Sequence, residues 1–372
     1  KKEKYALFQQ IKENYGLPYP DFILPFLKDI KASDSCLPLK SEIILEFYGF
    51  QTDSDQKAKA TVRIIRMMRQ RGIARHDEKI TVSHNFLDSR NETYIVTVGQ
   101  RNQLFYLKIF SDDTYALGEE TEGKIQPNEP LAYKALEYSG FSPKTYLLIE
   151  LGSDVEDNVE IYKENYIMTE DLSQGDCEFI LAADLKEVSK INKIVDTPEF
   201  AINLSAAVLV HDFLCLSDSL GANHKNYGIV FNKKEDTFSI QFIDHMPNAN
   251  NGWFSFVNRL EERKRAYSPR GVFSERQCEG FFAKLAAKSK RAIDSSLIKK
   301  RVNARVFKSS DQFMDFPSAL DRAQKEIEGE IKKCPENFVE NPLEKMNAYC
   351  EKIRKNMSIF QETEYAQRVI KR

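Results

Sequence analysis

Apolar residues recur at helical spacing along most of the first 85 residues of the chain. The clearest case contains Val62, Ile65 and Met68, where apolar residues return every three positions and Ile64 widens the stripe. Gly72 follows where a helix C-cap is expected. Residues 79–83, KITVS, then alternate between polar and apolar as a strand does. We therefore predict a mostly helical N-terminal segment that ends in a strand.

The last part of this segment resembles a small winged-helix module, because a helix is followed by a turn and a strand. We expect residues 1–88 to form such an N-terminal module. Basic side chains along its helix would suit contacts with phosphates if the module met nucleic acid. A solvated helix face explains the same pattern, and both interpretations stay open. The basic side chains are those of Arg63, Arg66, Arg69, Arg71 and Arg75.

Beyond this module the pattern changes from helices to strands. Apolar and alternating stretches are separated by turn-forming residues, and the first two of them predict a hairpin. A helix closed by Gly140 follows the hairpin. A series of strands with one helix after the second or third strand is the element order of a kinase small lobe. We expect such a lobe at residues 89–172. The predicted strands are residues 94–98, 103–110, 142–151 and 164–172, and the predicted helix is residues 129–140.

The chain after Leu172 predicts a larger, mainly helical lobe. Two helical stretches lead to a polar segment, a short hairpin with a charged turn follows, and the chain beyond Glu275 is again helical. We expect residues 173–372 to form a kinase-like large lobe with a helical extension, in a bilobal α+β fold. The helical stretches are residues 177–191 and 199–216, and the hairpin strands are residues 226–231 and 237–247.

Composition indicates a globular protein without a transmembrane segment. Hydrophobic residues make up 42% and charged residues 30%, and no apolar run is long enough to cross a bilayer. Six cysteines are scattered without a CxxC pair, so we expect reduced thiols, with Cys215 in the core. The expected location is the cytoplasm, or a host cytosol if the protein is secreted by a pathogen.

The net charge of −2 conceals one strongly basic segment. Residues 258–308 contain fifteen Lys or Arg against five Asp or Glu, whereas the pI of the whole chain is 6.3. Such a segment suits an inositol polyphosphate or an anionic membrane surface, although a solvated helical surface explains it equally well. The near-neutral pI argues against nucleic acid. The candidate polyanion ligands are Arg263, Lys264, Arg265, Lys299, Lys300 and Arg301.

A lysine within an apolar strand is the first candidate for chemistry. Lys108 is flanked by apolar residues in FYLKIF, and an ammonium group that is buried without a partner is costly. Glu129, at the start of the next helix, is a suitable partner. Kinases use such a Lys–Glu pair to hold the phosphates of ATP. A strand lysine that reaches solvent is the alternative.

Oxygen-bearing side chains cluster where the helix, the polar segment and the hairpin follow one another. Phosphoryl transfer needs a carboxylate to orient the acceptor hydroxyl and oxygen ligands for Mg²⁺. Asp218 is the candidate base, and Asn226 with Asp244 are the candidate metal ligands. Upstream, Thr169, Glu170 and Asp171 end a strand where a hinge would present backbone groups to adenine.

The stretch from VLVHDFLCL to NYGIVF, followed by IQFIDH, resembles the catalytic core of atypical protein-kinase-like enzymes. That branch holds HipA-type toxin kinases, phosphatidylinositol kinases and actin-fragmin kinase. The resemblance spans residues 94–247 and implies dependence on ATP with Mg²⁺ or Mn²⁺, and a protein Ser/Thr or a lipid or inositol hydroxyl as acceptor. His245 and Met246 stand where typical kinases have Phe-Gly.

Two departures from the family pattern keep other functions open. Asp218 precedes Asn226 by eight positions, farther than the family spacing, and Asn223 occupies the nearer position without being able to accept a proton. The glycine-rich phosphate loop is represented by Gly99 alone. A pseudokinase or scaffold that binds nucleotide without turnover is therefore one alternative. A winged-helix regulator that binds nucleic acid is the other.

Overall fold

The protein is described by a computed structural model, in which the described residues divide into two compact units. The first unit draws on Lys1–Phe110 and Tyr146–Asp171, and the second on Ser111–Thr145 and Leu172–Arg372. Helices and antiparallel sheets occur in both, which confirms the expected α+β class. The described residues are 53–75, 78–85, 93–99, 103–110, 124–149, 165–181, 207, 210–216, 226–245, 247 and 315–362.

The first unit begins with helix α1, Asp53–Gln70. Its apolar stripe is buried, and Ile64, Ile65 and Met68 have no exposed surface. Gly72 adopts a φ of 66°, and its amide donates to the carbonyl of Arg69 at 3.0 Å. The amide of the next residue donates to the Met68 carbonyl at 2.9 Å, which completes a Schellman cap. The predicted C-cap at Gly72 is thus confirmed.

The first unit also contains a five-stranded sheet that packs against α1. The order of its strands is β1-β2-β3-β5-β4. The β1–β2, β2–β3 and β3–β5 pairs are antiparallel. The predicted hairpin is confirmed as β2 with β3, and β3 lies at the centre of the sheet. The strands are β1 (Ile80–Asn85), β2 (Thr93–Val98), β3 (Gln103–Ile109), β4 (Thr145–Leu148) and β5 (Tyr166–Glu170).

One hydrophobic core joins α1 to this sheet. Ile64 and Met68 of α1 lie in the same buried cluster as Ile80, Val96 and Met168 of three strands. β1 also pairs with β2 along all of its length. The described part of the predicted winged-helix-like module therefore shares its core with the strands of the predicted small lobe. The remaining part, up to residue 52, and the predicted boundary at residue 88 lie outside the described residues.

The second unit contains a three-stranded antiparallel sheet in the order β6-β7-β8. Its strands are β6 (Cys177–Leu181), β7 (Tyr227–Asn232) and β8 (Thr237–Phe242). The side-chain oxygen of Asn232 accepts bonds from the amides of Lys234 and Glu235, which stabilises the charged turn between β7 and β8. The hairpin predicted here is confirmed.

The prediction of a helix from Cys177 was wrong for residues 177–181, which form β6. The strand pairs with β7 from Cys177 opposite Asn232 to Leu181 opposite Gly228. Gly228 permits this approach, because a Cβ atom there would lie 2.3 Å from the Ile180 carbonyl oxygen. A partner strand almost fifty residues away therefore overrides the local helical pattern.

Three long helices complete the described part of the second unit, namely α2 (Asn128–Tyr138), α3 (Phe316–Lys333) and α4 (Pro342–Glu362). Gly140, with a φ of 79°, follows α2 as predicted. α3 starts at an N-cap in which the Asp315 carboxylate accepts from the Ser318 amide. The prediction of helices beyond Glu275 is confirmed where the structure describes that region.

A buried ionic cluster joins α2 to α3. The Lys134 ammonium lies 3.1 Å from a carboxylate oxygen of Glu137 and 3.0 Å from one of Glu326. It also donates to the Thr145 carbonyl. The Tyr138 hydroxyl donates to Glu326 as well. α2, which the sequence grouped with the small-lobe strands, thus belongs to the second unit, and the predicted domain limits stay a prediction.

The four described cysteines are reduced, as the sequence predicts. Cys177, Cys215, Cys334 and Cys350 are free thiols, and Cys215 is fully buried, as expected for a core residue. Burial raises the pKa of the Cys350 thiol to about 11, which keeps it protonated at neutral pH. Within the described residues, no helix is both long enough and apolar enough to span a bilayer.

Candidate functional site

Asn226 and Asp244, the two predicted metal ligands, lie side by side at one end of the β7–β8 hairpin. Asn226 directly precedes β7, and Asp244 follows β8 by two positions. The backbone carbonyl of Asn226 accepts from the amide of Ile243 at 2.9 Å and from that of Asp244 at 3.5 Å. Both residues are partly exposed. Antiparallel pairing therefore places the backbones of these two residues next to each other at this end of the hairpin.

The chemistry of this pair fits Mg²⁺. Magnesium prefers oxygen ligands and is usually held by one or two carboxylates together with substrate phosphates. Asp244 offers a carboxylate and Asn226 a carboxamide oxygen. The described residues contain no group of three or more His, Cys, Asp or Glu side chains placed to hold a metal. The assignment of Mg²⁺ to Asn226 and Asp244 stays a prediction.

Asp244 also contacts α2. The hydroxyl of Tyr133 donates to Asp244 Oδ1 at 3.3 Å. The Tyr133 ring lies over the imidazole of His245, with centroids 3.7 Å apart and planes 30° apart. His245 is 1% exposed, so it packs as a buried aromatic ring.

The end of β8 is attached to the turn that directly follows α2. The amide of Phe242 donates to the carbonyl of Phe141 at 2.7 Å. The side-chain amide of Gln241 donates to the carbonyl of Gly140 at 2.9 Å. These bonds hold the end of β8 next to the turn after α2, and the Tyr133 hydroxyl adds a direct contact from α2 to Asp244.

The helix that ends at Phe213 leads directly into the polar segment. His211 and Asp212 are buried there, with His211 Nδ1 3.3 Å from Asp212 Oδ1. Cys215 takes a φ of 49°, which is uncommon for a residue with a side chain. The Leu216 amide bonds to the His211 carbonyl at 3.2 Å. Asp218 and Asn223 follow in residues 217–225, which lie outside the described residues.

Lys108 lies in the first unit, in the central strand of the five-stranded sheet. It is opposite Thr93 of β2 and Ile167 of β5 and is partly buried. Phe105 and Leu107 face the core, so strand alternation places Lys108 on the other face. Lys108 thus lies in the central strand of this sheet, and its role in binding ATP stays a prediction.

Glu129, the predicted partner of Lys108, lies in the first turn of α2. Its side chain is partly buried. α2 belongs to the second unit, whereas Lys108 belongs to the first. The pairing of Lys108 with Glu129 stays a prediction.

The predicted hinge lies where the chain passes from the first unit to the second, directly after Asp171. The amide of Asp171 donates to the Leu104 carbonyl at 2.9 Å, so this donor is used within the sheet. Glu170 accepts from the Tyr146 hydroxyl at 2.6 Å, and Thr169 is opposite Tyr106. Burial, and then the Asp171 carboxylate, raise the pKa of the Tyr106 hydroxyl. The adenine contact stays a prediction.

The two basic regions differ in what the structure describes. The candidate polyanion ligands between residues 263 and 301 lie outside the described residues. In α1, Arg63 is 6% exposed, and Arg69 donates to the Glu78 carbonyl at 3.5 Å. Arg75 pairs with the Glu78 carboxylate at 3.8 Å. These arginines are engaged within the first unit, which does not favour a nucleic-acid surface.

Sequence patterns did not identify Tyr133, Tyr349 or Asn356. Tyr133 looks like one more apolar position of a buried helix, and its acidic partner is 111 residues away. Tyr349 and Asn356 of α4 donate to the carbonyls of Leu214 and Phe213 from a similar sequence distance. A buried polar group in an apolar stripe is a weak signal of such contacts.

Comparisons with known proteins add little to this geometry. No family model matches the chain, and no curated protein matches it. Among solved structures, the chain is similar to the crystal structure of the Helicobacter pylori proinflammatory kinase CtkA. The identity is 9% and the TM-score 0.26, over 70% of this chain and 94% of that chain. A likeness at this level carries no functional conclusion.

Proposed function

We propose that this protein is an ATP- and Mg²⁺-dependent kinase that phosphorylates a protein Ser/Thr or a lipid or inositol hydroxyl. One observation carries the proposal: Asn226 and Asp244 meet at the end of the β7–β8 hairpin. Phosphoryl transfer needs such a pair of oxygen ligands next to a segment that can hold the acceptor. Asp218 precedes Asn226 by eight positions in the sequence, and we assign it to this acceptor segment.

Each predicted residue has a role in this proposal. Asn226 and Asp244 hold Mg²⁺ or Mn²⁺, which when bound neutralises charge on the β and γ phosphates. Lys108 binds ATP phosphates, and Glu129 orients Lys108. The segment of Thr169, Glu170 and Asp171 contacts the adenine.

The acceptor side of the reaction is assigned to the polar segment. Asp218 orients the acceptor hydroxyl and takes its proton. The acceptor oxygen forms a bond to the γ-phosphorus while the bond to the β–γ bridging oxygen breaks, and ADP leaves. Asn223 is a candidate for orienting the same hydroxyl, but a carboxamide cannot accept its proton.

A polyanionic ligand at the basic segment is a further part of the proposal. The excess of ten positive charges in residues 258–308 supports it. An inositol polyphosphate that binds the folded state raises its stability by mass action. Inositol hexakisphosphate at physiological salt should therefore raise the melting temperature by several degrees, and the rise should disappear when Lys299, Lys300 and Arg301 are neutralised together. An unchanged melting temperature would remove this ligand.

The kinase activity itself is tested with γ-labelled ATP and either Mg²⁺ or Mn²⁺, by looking first for label on the chain. We expect labelling that a chelator abolishes and that Lys108→Ala reduces strongly, because the lysine should bind the transferred phosphates. ATP binding without transfer to the chain or to protein, lipid and inositol acceptors would favour the pseudokinase instead.

A further inference from the structure

The hydroxyl of Tyr133, in the buried middle part of α2, contacts the predicted metal ligand Asp244. Residues 130–136 of α2 are all buried, and Tyr133 is 2% exposed. A buried tyrosine hydroxyl requires a polar partner. One partner here is the carboxylate of Asp244, with 3.3 Å between the hydroxyl oxygen and Oδ1. The hydroxyl therefore acts on the side chain to which the proposed function assigns Mg²⁺.

The surroundings of Tyr133 restrict its movement. The ring is stacked on His245, which is itself buried, at 3.7 Å between centroids. The Phe242 amide at the end of β8 donates to the carbonyl of Phe141, in the turn that follows the same helix, at 2.7 Å. Both ends of the Tyr133–Asp244 contact are thus fixed to α2, and the hydrogen bond limits rotation of the carboxylate.

We infer that Tyr133 is a positioning residue that holds the Asp244 carboxylate in the orientation needed for the metal. This inference rests on the proposed function, because it takes Asp244 as a metal ligand. Hydrogen-bond partners of metal ligands typically change metal affinity or activity by about 10–100-fold when they are removed. α2 also carries Glu129 in its first turn, so one helix supports two residues of the proposed site.

The test measures binding of Mn²⁺–ADP to the full-length chain by the relaxation of water protons. Tyr133→Phe removes the hydroxyl and keeps the ring that stacks on His245, so the fold should be retained. Tyr138→Phe is the matched control, because it removes a hydroxyl that bonds to Glu326 from the same helix. We expect Tyr133→Phe to weaken Mn²⁺ binding about 10-fold or more, whereas Tyr138→Phe leaves it unchanged.

Asp244→Ala separates failure of this inference from failure of the proposed function. If Asp244→Ala loses the Mn²⁺ site and Tyr133→Phe binds like wild type, the positioning role is wrong and the kinase proposal stands. If Asp244→Ala binds Mn²⁺ like wild type, the metal site is wrong and the proposed function falls with it. A positioning role also predicts that saturating Mn²⁺ restores turnover of Tyr133→Phe, and a deficit that persists at saturation contradicts that role.

Discussion

The side-chain amide of Asn356 donates a hydrogen bond to the backbone carbonyl of Phe213, at 3.0 Å, in a contact that is buried on both sides. Tyr349, two turns earlier on α4, donates to the Leu214 carbonyl at 2.5 Å. The last carbonyls of a helix have no partner within the helix and need one from elsewhere. α4 thus caps the helix that leads into the segment with Asp218.

Replacing Asn356 by alanine should destabilise the fold, because the Phe213 carbonyl would be left buried without this donor. The expected loss in the free energy of unfolding is about 1–3 kcal/mol. Urea denaturation measures it. Asn347→Ala is the control, since Asn347 lies on the exposed side of α4 and accepts from Gln324 there. Equal effects of the two substitutions would contradict the capping role.

Replacing Lys134 by methionine should be costly, because the Glu137 carboxylate would lose its nearest cation. The side chains of Lys134 and Glu137 are 8% and 15% exposed. Breaking a buried ion pair by removing one partner costs about 3–5 kcal/mol. Lys332→Met removes an exposed pair with Glu328 on α3 and should cost only about 0–1 kcal/mol. Similar losses for both variants would contradict a structural role for the buried cluster.

The same variant should depend on pH in a defined direction. Burial raises the pKa of Glu137, whereas Lys134 and the Thr145 amide lower it. Without Lys134 the folded-state pKa rises further above the unfolded value, so the folded state binds more protons as the pH falls. The stability gap between wild type and Lys134→Met should narrow from pH 8 to pH 5. A gap that widens toward pH 5 would contradict this assignment.

Alanine at Gly228 and at Gly329 should have opposite effects on stability. At Gly228 a Cβ atom would meet the Ile180 carbonyl at 2.3 Å and the Phe179 ring at 2.7 Å, so β6 must shift. We expect a loss of about 1–3 kcal/mol. Gly329 lies within α3 with open space around it, and alanine there should add up to about 1 kcal/mol. Thermal or urea unfolding of both variants is the measurement, and an unchanged stability of Gly228→Ala would contradict the β6–β7 pairing.

The polar segment offers a test of the proposed base. Asp218→Asn should lower the rate by about 10² or more with little change in ATP affinity, as expected for a base or positioning group. If the nearer residue Asn223 orients the acceptor, Asn223→Ala is the damaging change instead. Steady-state kinetics, together with measurements of ATP affinity, distinguish a role of Asp218 from a role of Asn223. If both substitutions leave the rate unchanged, the pseudokinase is favoured.

Local chemistry explains which elements could be predicted. Gly72 and Gly140 follow helices where only a residue that tolerates positive φ fits easily, and the turn after Asn232 joins two strands that pair with each other. β6 was missed because its partner β7 lies far along the chain. A five-residue apolar stretch does not reveal which distant strand it will join.

The backbone neighbourhood of Asn226 and Asp244 could be predicted in the same way, whereas their role as metal ligands stays a prediction. Asn226 and Asp244 are brought together by a hairpin that the sequence itself indicates. Tyr133 could not be predicted, because its contact with Asp244 depends on how α2 packs against the end of β8. The hairpin that places Asn226 beside Asp244 is thus indicated by the sequence, whereas the contact from Tyr133 emerges only from the packing.

The most direct measurement compares Asp244→Asn with Glu235→Gln for transfer of label from γ-labelled ATP in the presence of Mg²⁺. Both substitutions neutralise one carboxylate of the β7–β8 hairpin, Asp244 beside Asn226 and Glu235 in the exposed turn at the other end. We predict that Glu235→Gln transfers label like wild type and that Asp244→Asn is slower by about 10² or more, as expected when a group that stabilises transferring charge is lost. Transfer by Asp244→Asn at the wild-type rate would contradict the proposed kinase site.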